Sequence, residues 1–347
     1  MIKVTITRSG VDWSREVPIG FHISEEEYSA LSSRTIFVRD GYILDLSQET
    51  SVGFAYDEIV GRTIGEIRNL FPAENDSEFK SVTVYTQGDG DFYIPGSVSW
   101  EDVIAGPGND VLTDGGGPAG EGWSDYLFGG AGDDTYFVSS SDSEALEFAI
   151  ADGVLDPSRD AGGDDVVITT APFYLRDESA IETIIMDGAD SARGNNLANT
   201  IVGDSETNLI FGREGTDRLI GNAGDDTLRG GEGSDRLVGG QGSDLYLFVG
   251  ESTGRDVINS FSDEDVLVTS VRIRDNNGDG IIQFGSDRRL DFSRNTSVVM
   301  SDDEGRTITN LEYDGSYVSE GVTYYVYSLV GSAAGVATAE AHELTLD

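Results

Sequence analysis

From Gly194 to Leu247 the chain reads, in blocks of nine, GNNLANTIV, GDSETNLIF, GREGTDRLI, GNAGDDTLR, GGEGSDRLV and GGQGSDLYL. The six blocks follow one another without a gap. Position six is Asn199, Asn208, Asp217, Asp226, Asp235 and Asp244, and position eight is Ile201, Ile210, Leu219, Leu228, Leu237 and Tyr246. A string of solvated turns would account for the glycine and aspartate, but not for one large apolar residue in every ninth place. A fixed period of this kind marks a repeat architecture, in which each unit buries its apolar residue only against its neighbours.

The blocks resemble the glycine-rich nonapeptide G-G-x-G-x-D-x-U-x of the RTX (repeats-in-toxin) family, a calcium-binding repeat. The resemblance implies a mainly β fold, a calcium-binding parallel β-roll (right-handed β-solenoid), in which two nonapeptides make one coil of eighteen residues. Turns eighteen residues apart would then be neighbours on one edge, with Ca²⁺ between them. One edge would carry Asn199, Asp217 and Asp235, the other Asn208, Asp226 and Asp244. The position-four glycines Gly215, Gly224, Gly233 and Gly242 would bend the turn and turn backbone carbonyls toward the ion. The gaps 217/235 and 226/244 pair two carboxylates. The gaps 199/217 and 208/226 have one charge fewer and are expected to be weaker or empty. Six to eight oxygens in a flexible cage suit Ca²⁺, whereas Mg²⁺ demands octahedral geometry at about 2.0–2.1 Å.

A shorter array precedes this one. AGPGNDVLT (105–113) and GGAGDDTYF (129–137) fit the motif with Asp110 and Asp134 at position six. GEGWSDYLF between them fits after a one-residue insertion, with Asp125 as the candidate ligand. The linking segment 138–193 alternates short β-prone bursts with Gly, Asp and Asn, as calcium-free coils would, apart from SEALEFAI, which reads as a short helix. One continuous roll is therefore expected over 101–260, with a separate inserted domain at 138–193 as the alternative.

Outside it, residues 1–100 read as a small α+β domain of unassigned role, and 261–347 as a β-rich C-terminal region. Within the latter, Asp275, Asn277, Asp279 and Gly280 form D-x-N-x-D-G, the opening of an EF-hand loop. The twelfth place is Ser286 rather than Glu and the flanks alternate like strands, so the segment reads either as an Asn-Gly/Asp-Gly hairpin turn or as an extra calcium loop. TITNLEYDGSYVSEGVTYYVYSLV reads as two or three antiparallel strands.

Charge narrows the function. Across 347 residues, 22 Lys and Arg face 64 Asp and Glu, for a net charge of −42, and the only lysines are Lys3 and Lys80. Nucleic acid and anionic membrane are excluded as partners, since both are recognised through clustered positive charge. Such an excess repels itself in a compact state and calls for bound cations. There is no cysteine, which removes disulfides, thiol nucleophiles and thiolate metal sites. No apolar run is long enough to span a bilayer, and the N-terminal stretch lacks the apolar core of a cleaved secretory signal.

Catalysis finds little support. His22 is followed by Ile-Ser-Glu, so no H-E-x-x-H is formed, and no G-x-S-x-G occurs. The expectation leans against an enzyme. The leading reading is a secreted, structural or surface-associated calcium protein that folds on Ca²⁺ outside the cell, with a cell-surface or extracellular-matrix partner. The small acidic tail SAAGVATAEAHELTLD is similar to the signals read by type I secretion machinery. The alternative is a small secreted enzyme or effector whose active part is residues 1–100, with the roll as its export and folding module.

Overall fold

Positions seven to nine of each block place one apolar residue between two polar or partly exposed ones, which is the alternation of a short strand with one buried face. The computed structural model describes residues 108–114, 126–147, 162–177, 179–249, 254–292 and 296–341. Backbone strands are also described at 34–39, 42–45, 82–87, 93–94, 101–104, 149–151 and 154–156. Two units are formed: Met1–Ile168 with Glu178–Ile181, and Thr169–Asp177 with Glu182–Asp347. Among the described residues no helix is long and apolar enough to cross a membrane.

The second unit holds the six-block array as a parallel β-roll. Thr200–Val202, Arg218–Ala223, Arg236–Gln241 and Gly254–Asn259 pair in parallel in one sheet. Leu209–Gly215, Thr227–Gly233, Leu245–Phe248 and Val266–Thr269 do so in the other. Leu219 pairs with Leu237 and Ile210 with Leu228, so one coil does consist of two nonapeptides. Ile201, Leu219, Leu237 and Ile258 from one sheet, and Ile210, Leu228, Tyr246 and Leu267 from the other, are completely buried. These two rows of side chains are the interior of the roll.

Parallel pairing runs past residue 260, because Gly254–Asn259 pairs in turn with Thr296–Met300. The other sheet closes with antiparallel strands: Val266–Thr269 pairs with Val322–Ser328, and that strand with Asn310–Ser319. These last two are the antiparallel strands expected near the C-terminus. Their core gathers Leu245, Leu247, Val266, Val268, Tyr324, Val326 and Ala339, the last from the short helix Val336–Ala341.

In the first unit Val111–Thr113 pairs in parallel with Thr135–Val138, and Tyr126–Phe128 with Glu144–Leu146. Leu112, Leu127, Tyr136 and Val167 form its interior. Strands Val82–Gln87 and Tyr93–Ile94 join the same sheets in parallel, through Glu101–Ile104 and Val111–Thr113 respectively. SEALEFAI is not a helix where it is described: Glu144–Leu146 is a strand. Its helical composition is overridden by the pairing with Tyr126–Phe128 and by burial of Ala145 and Leu146. The helices expected within 1–100 lie outside the described residues.

Candidate metal centres

Each position-six residue sits where the turn enters a strand, and the coils stack these residues into columns. In the second unit one column is Asn199, Asp217, Asp235 and Asp256, and the other is Asn208, Asp226, Asp244 and Asp265. Each aspartate is tied to the residue before it in its column, one coil back. Asn199 N–H donates to Asp217 Oδ1 at 2.8 Å, Asp217 N–H to Asp235 Oδ1 at 2.9 Å, and Asp235 N–H to Asp256 Oδ1 at 2.9 Å. The second column repeats this from Asn208 to Asp226, Asp226 to Asp244 and Asp244 to Asp265, at 2.8, 3.0 and 2.8 Å. The first unit has a column of its own, with Asp110 N–H on Asp134 Oδ1 at 2.7 Å and Asp134 N–H on Asp165 Oδ1 at 2.8 Å.

The polar atoms of one rung can be followed to the end. Asp235 donates its N–H to Asp256, accepts Val257 N–H at its carbonyl at 2.8 Å, and accepts Asp217 N–H at Oδ1. Only Oδ2 is left, buried and without a hydrogen-bond partner in the protein. The same is true of Oδ2 on Asp134, Asp217, Asp226, Asp244 and Asp256. Burying an ionised oxygen without a partner costs several kcal/mol, roughly, and the titration behaviour shows the strain. Loss of solvent pushes Asp134, Asp217, Asp226 and Asp256 up to about 7 and Asp244 up to about 8, the last helped by the charge of Asp265. Burial raises Asp235 too. A row of buried, charged, unshared oxygens is the donor set of a hard cation.

Glycine makes room for it at two places in the motif. A β-carbon at position one would collide with the carboxylate five residues on, as at Gly230 with Asp235 Oδ2. At position four Gly215, Gly224, Gly233 and Gly242 have φ of 121, 111, 136 and 127°, a backbone region that L side chains avoid. Gly233 also lies against the Gly215 carbonyl so closely that no side chain would fit between the coils. Carboxylate and carbonyl oxygens therefore converge on each edge, and they are the atoms that would hold the ions.

The column ends are built differently. Asn199 Oδ1 accepts Asn195 N–H at 2.9 Å and Asn208 Oδ1 accepts Asp204 N–H at 2.8 Å, each within its own coil, while Asn208 Nδ2 donates to the Ala189 carbonyl one coil back at 3.2 Å. At the far end Asp265 uses both oxygens, Oδ1 on Asp244 N–H and Oδ2 on Ser262 N–H at 2.6 Å.

Asp165, Asp256 and Asp265 escaped the sequence reading because the coils that deliver them are longer. Asp235 and Asp256 are 21 residues apart, Asp134 and Asp165 31. The signal that survives such insertions is the triplet Asp-x-apolar: Asp165-Val-Val167, Asp256-Val-Ile258 and Asp265-Val-Leu267.

Asp125 lies outside the described residues. Asp275, Asn277 and Asp279 stand in a loop that begins ten residues after Asp265, with Asn277 and Asp279 exposed and Asp275 half-buried. There Asp275 accepts the N–H groups of Asn277, Gly278 and Gly280, and Asp279 that of Ile281. These bonds hold Asp275 below the usual carboxylate range, led by the one from Gly280. The strand after the loop, Ile281–Gln283, pairs with Asn310–Ser319 rather than with the residues just before the loop, so the segment is not a tight hairpin.

A family model of the RTX calcium-binding nonapeptide repeat matches the chain in four copies, at residues 120–140, 186–218, 193–228 and 211–246. No curated protein matches the chain significantly. The matched segments cover the six-block array almost entirely and reach into the first unit. With the roll, the aspartate columns and these matches in agreement, the chain carries an array of RTX-type calcium-binding nonapeptide repeats.

Proposed function

We propose that this protein is an extracellular or surface-associated structural protein that leaves the cell unfolded through a type I channel and folds when it meets calcium outside. The observation that carries this reading is the set of buried Oδ2 atoms with no partner in the protein. A fold built round six or more such charges is stable only where a cation supplies the missing ligand, because binding to the native state alone shifts the folding equilibrium. Where free Ca²⁺ is scarce the chain stays extended enough for a narrow channel. Where it is plentiful, folding opposes backward movement. A net charge of −42 would further favour attachment to a matrix or cell surface through shared divalent cations.

The test is a blot of culture medium against cell lysate for the full chain, in a Gram-negative host with and without a type I exporter. Appearance in the medium only with the exporter, in a form that is protease-resistant in Ca²⁺ and sensitive in EGTA, is the expected result. Equal release without the exporter, or resistance that ignores EGTA, would overturn the reading.

A further inference from the structure

Glu147 occupies the place that the motif gives to its first glycine. Leu127 pairs with Ala145 and Phe128 with Leu146, so the residue that follows the strand is Gly129 in one coil and Glu147 in the next. At Gly129 a β-carbon would collide with Asp134 Oδ2 and with the Tyr136 hydroxyl. The coil that begins at Glu147 brings in its position-six aspartate, Asp165, only eighteen residues later, where a nonapeptide takes five.

That side chain is completely buried and held in place. The Tyr136 hydroxyl donates to Glu147 Oε1 and itself accepts Gly129 N–H at 2.7 Å. Glu147 Oε2 is left buried with no hydrogen-bond partner in the protein. Carboxylate oxygens of Asp134, Glu147 and Asp165 all lie within 4.8 Å of one another. Two oxygens that share one Ca²⁺ at 2.3–2.6 Å can be at most about 5 Å apart, so each pair of these groups is close enough to share a calcium ion.

We propose that Asp134, Glu147 and Asp165 form a tricarboxylate site for one calcium-class cation, different in composition from the sites of the nonapeptide columns. A nonapeptide gap offers two carboxylates and a bare glycine. Here a third carboxylate replaces the glycine, with one oxygen held by the Tyr136 hydroxyl and the other left without a hydrogen bond. The second unit supplies the comparison: Tyr246 accepts Gly239 N–H at 2.8 Å in the same way, but the place that corresponds to Glu147 is Ser260, after the strand in which Asn259 pairs with Val238. With one more negative charge, the Glu147 site fills before the columns do.

The experiment is calorimetric Ca²⁺ titration of the full chain as wild type, Glu147→Gln, Glu147→Gly and Tyr136→Phe. Glu147→Gly restores the residue of the motif and so guards against a folding failure of the glutamine variant. Both Glu147 variants are expected to lose the tightest binding phase, the Asp134/Asp165 gap falling back to the affinity of a column site, with the remaining sites unchanged. Tyr136→Phe keeps the ion but weakens it about 10-fold, as loss of a group that orients a ligand does. Unchanged number and affinity in both Glu147 variants would show that Glu147 is only a hydrogen-bond partner of Tyr136. A second measurement does not depend on the variants: crystals of the wild-type chain grown with Ca²⁺ should show anomalous density among the three carboxylates, and its absence would overturn the proposal.

Discussion

Asp235 holds the backbone N–H of Asp217, one coil back in the chain, at 2.9 Å through Oδ1, and leaves Oδ2 without a protein partner. One oxygen fixes the spacing of the coils and the other waits for a cation. Structural and metal-binding roles are thus divided between two atoms of a single carboxylate.

Removal of calcium should unfold the roll. A site filled at about 100 times its dissociation constant contributes about 2.7 kcal/mol, so a few sites equal a domain's whole stability of about 5–15 kcal/mol. Circular dichroism in EGTA is expected to lose most β-structure, millimolar Ca²⁺ to restore it cooperatively, and Mg²⁺ to fail. Identical spectra in the two conditions would contradict the columns' dependence on an ion.

Asparagine separates the two roles. In Asp226→Asn an amide oxygen can still accept Asn208 N–H, while the charge of Oδ2 is lost. The variant should bind fewer ions and melt lower, and Asp226→Ala, which loses both, should melt lower still. Asp110→Ala should cost less than either, since Asp110 stands at the start of its column and Asp226 inside one.

Asp256 and Asp265 lie beyond the last nonapeptide, and they should differ from each other. Asp256 has an unshared oxygen, so Asp256→Asn is expected to lower the calcium count. Asp265 spends both oxygens on N–H groups of Asp244 and Ser262. Its alanine variant should lose about 2–6 kcal/mol, from two buried donors at about 1–3 kcal/mol each, with the calcium count retained. Equilibrium dialysis beside thermal melts distinguishes them.

Acidity should act in opposite directions with and without the ion. In the metal-free fold burial raises Asp217, Asp226 and Asp256 to about 7 and Asp244 to about 8, from 3.8. Between those values the folded state carries more protons than the unfolded one, so stability is full below about pH 4 and falls as the pH rises toward 8. In EGTA more β-signal is therefore expected at pH 5 than at pH 7.5. In Ca²⁺ the order reverses, because protons compete for the same oxygens. A chain with the same pH dependence in both buffers would contradict this.

Gly230→Ala tests the packing of the motif. The added carbon meets Asp235 Oδ2 and Cγ, so the carboxylate must move off the edge. A loss of about 1–3 kcal/mol and of calcium affinity is expected, from melts and calorimetry with Ca²⁺ present.

The sequence alone determined the coil. A period of nine with an apolar residue at position eight requires that residue to face inward, and the resemblance to the RTX nonapeptide implied pairing between residues eighteen apart, as found for Leu219 with Leu237. It also placed Asp217, Asp226, Asp235 and Asp244 in two columns, because in a strictly periodic chain position in sequence and position in space are the same information. Where the period breaks, that equivalence fails. Asp165, Asp256 and Asp265 rejoin the columns after insertions whose length carries no register, and Glu144–Leu146 becomes a strand because Tyr126–Phe128 lies beside it. What only the tertiary structure decided is which oxygen of each carboxylate is shared and which is not, and that Glu147 meets Asp134 and Asp165. Both depend on hydrogen bonds from neighbouring coils, which exist only once the chain has wound round to supply them.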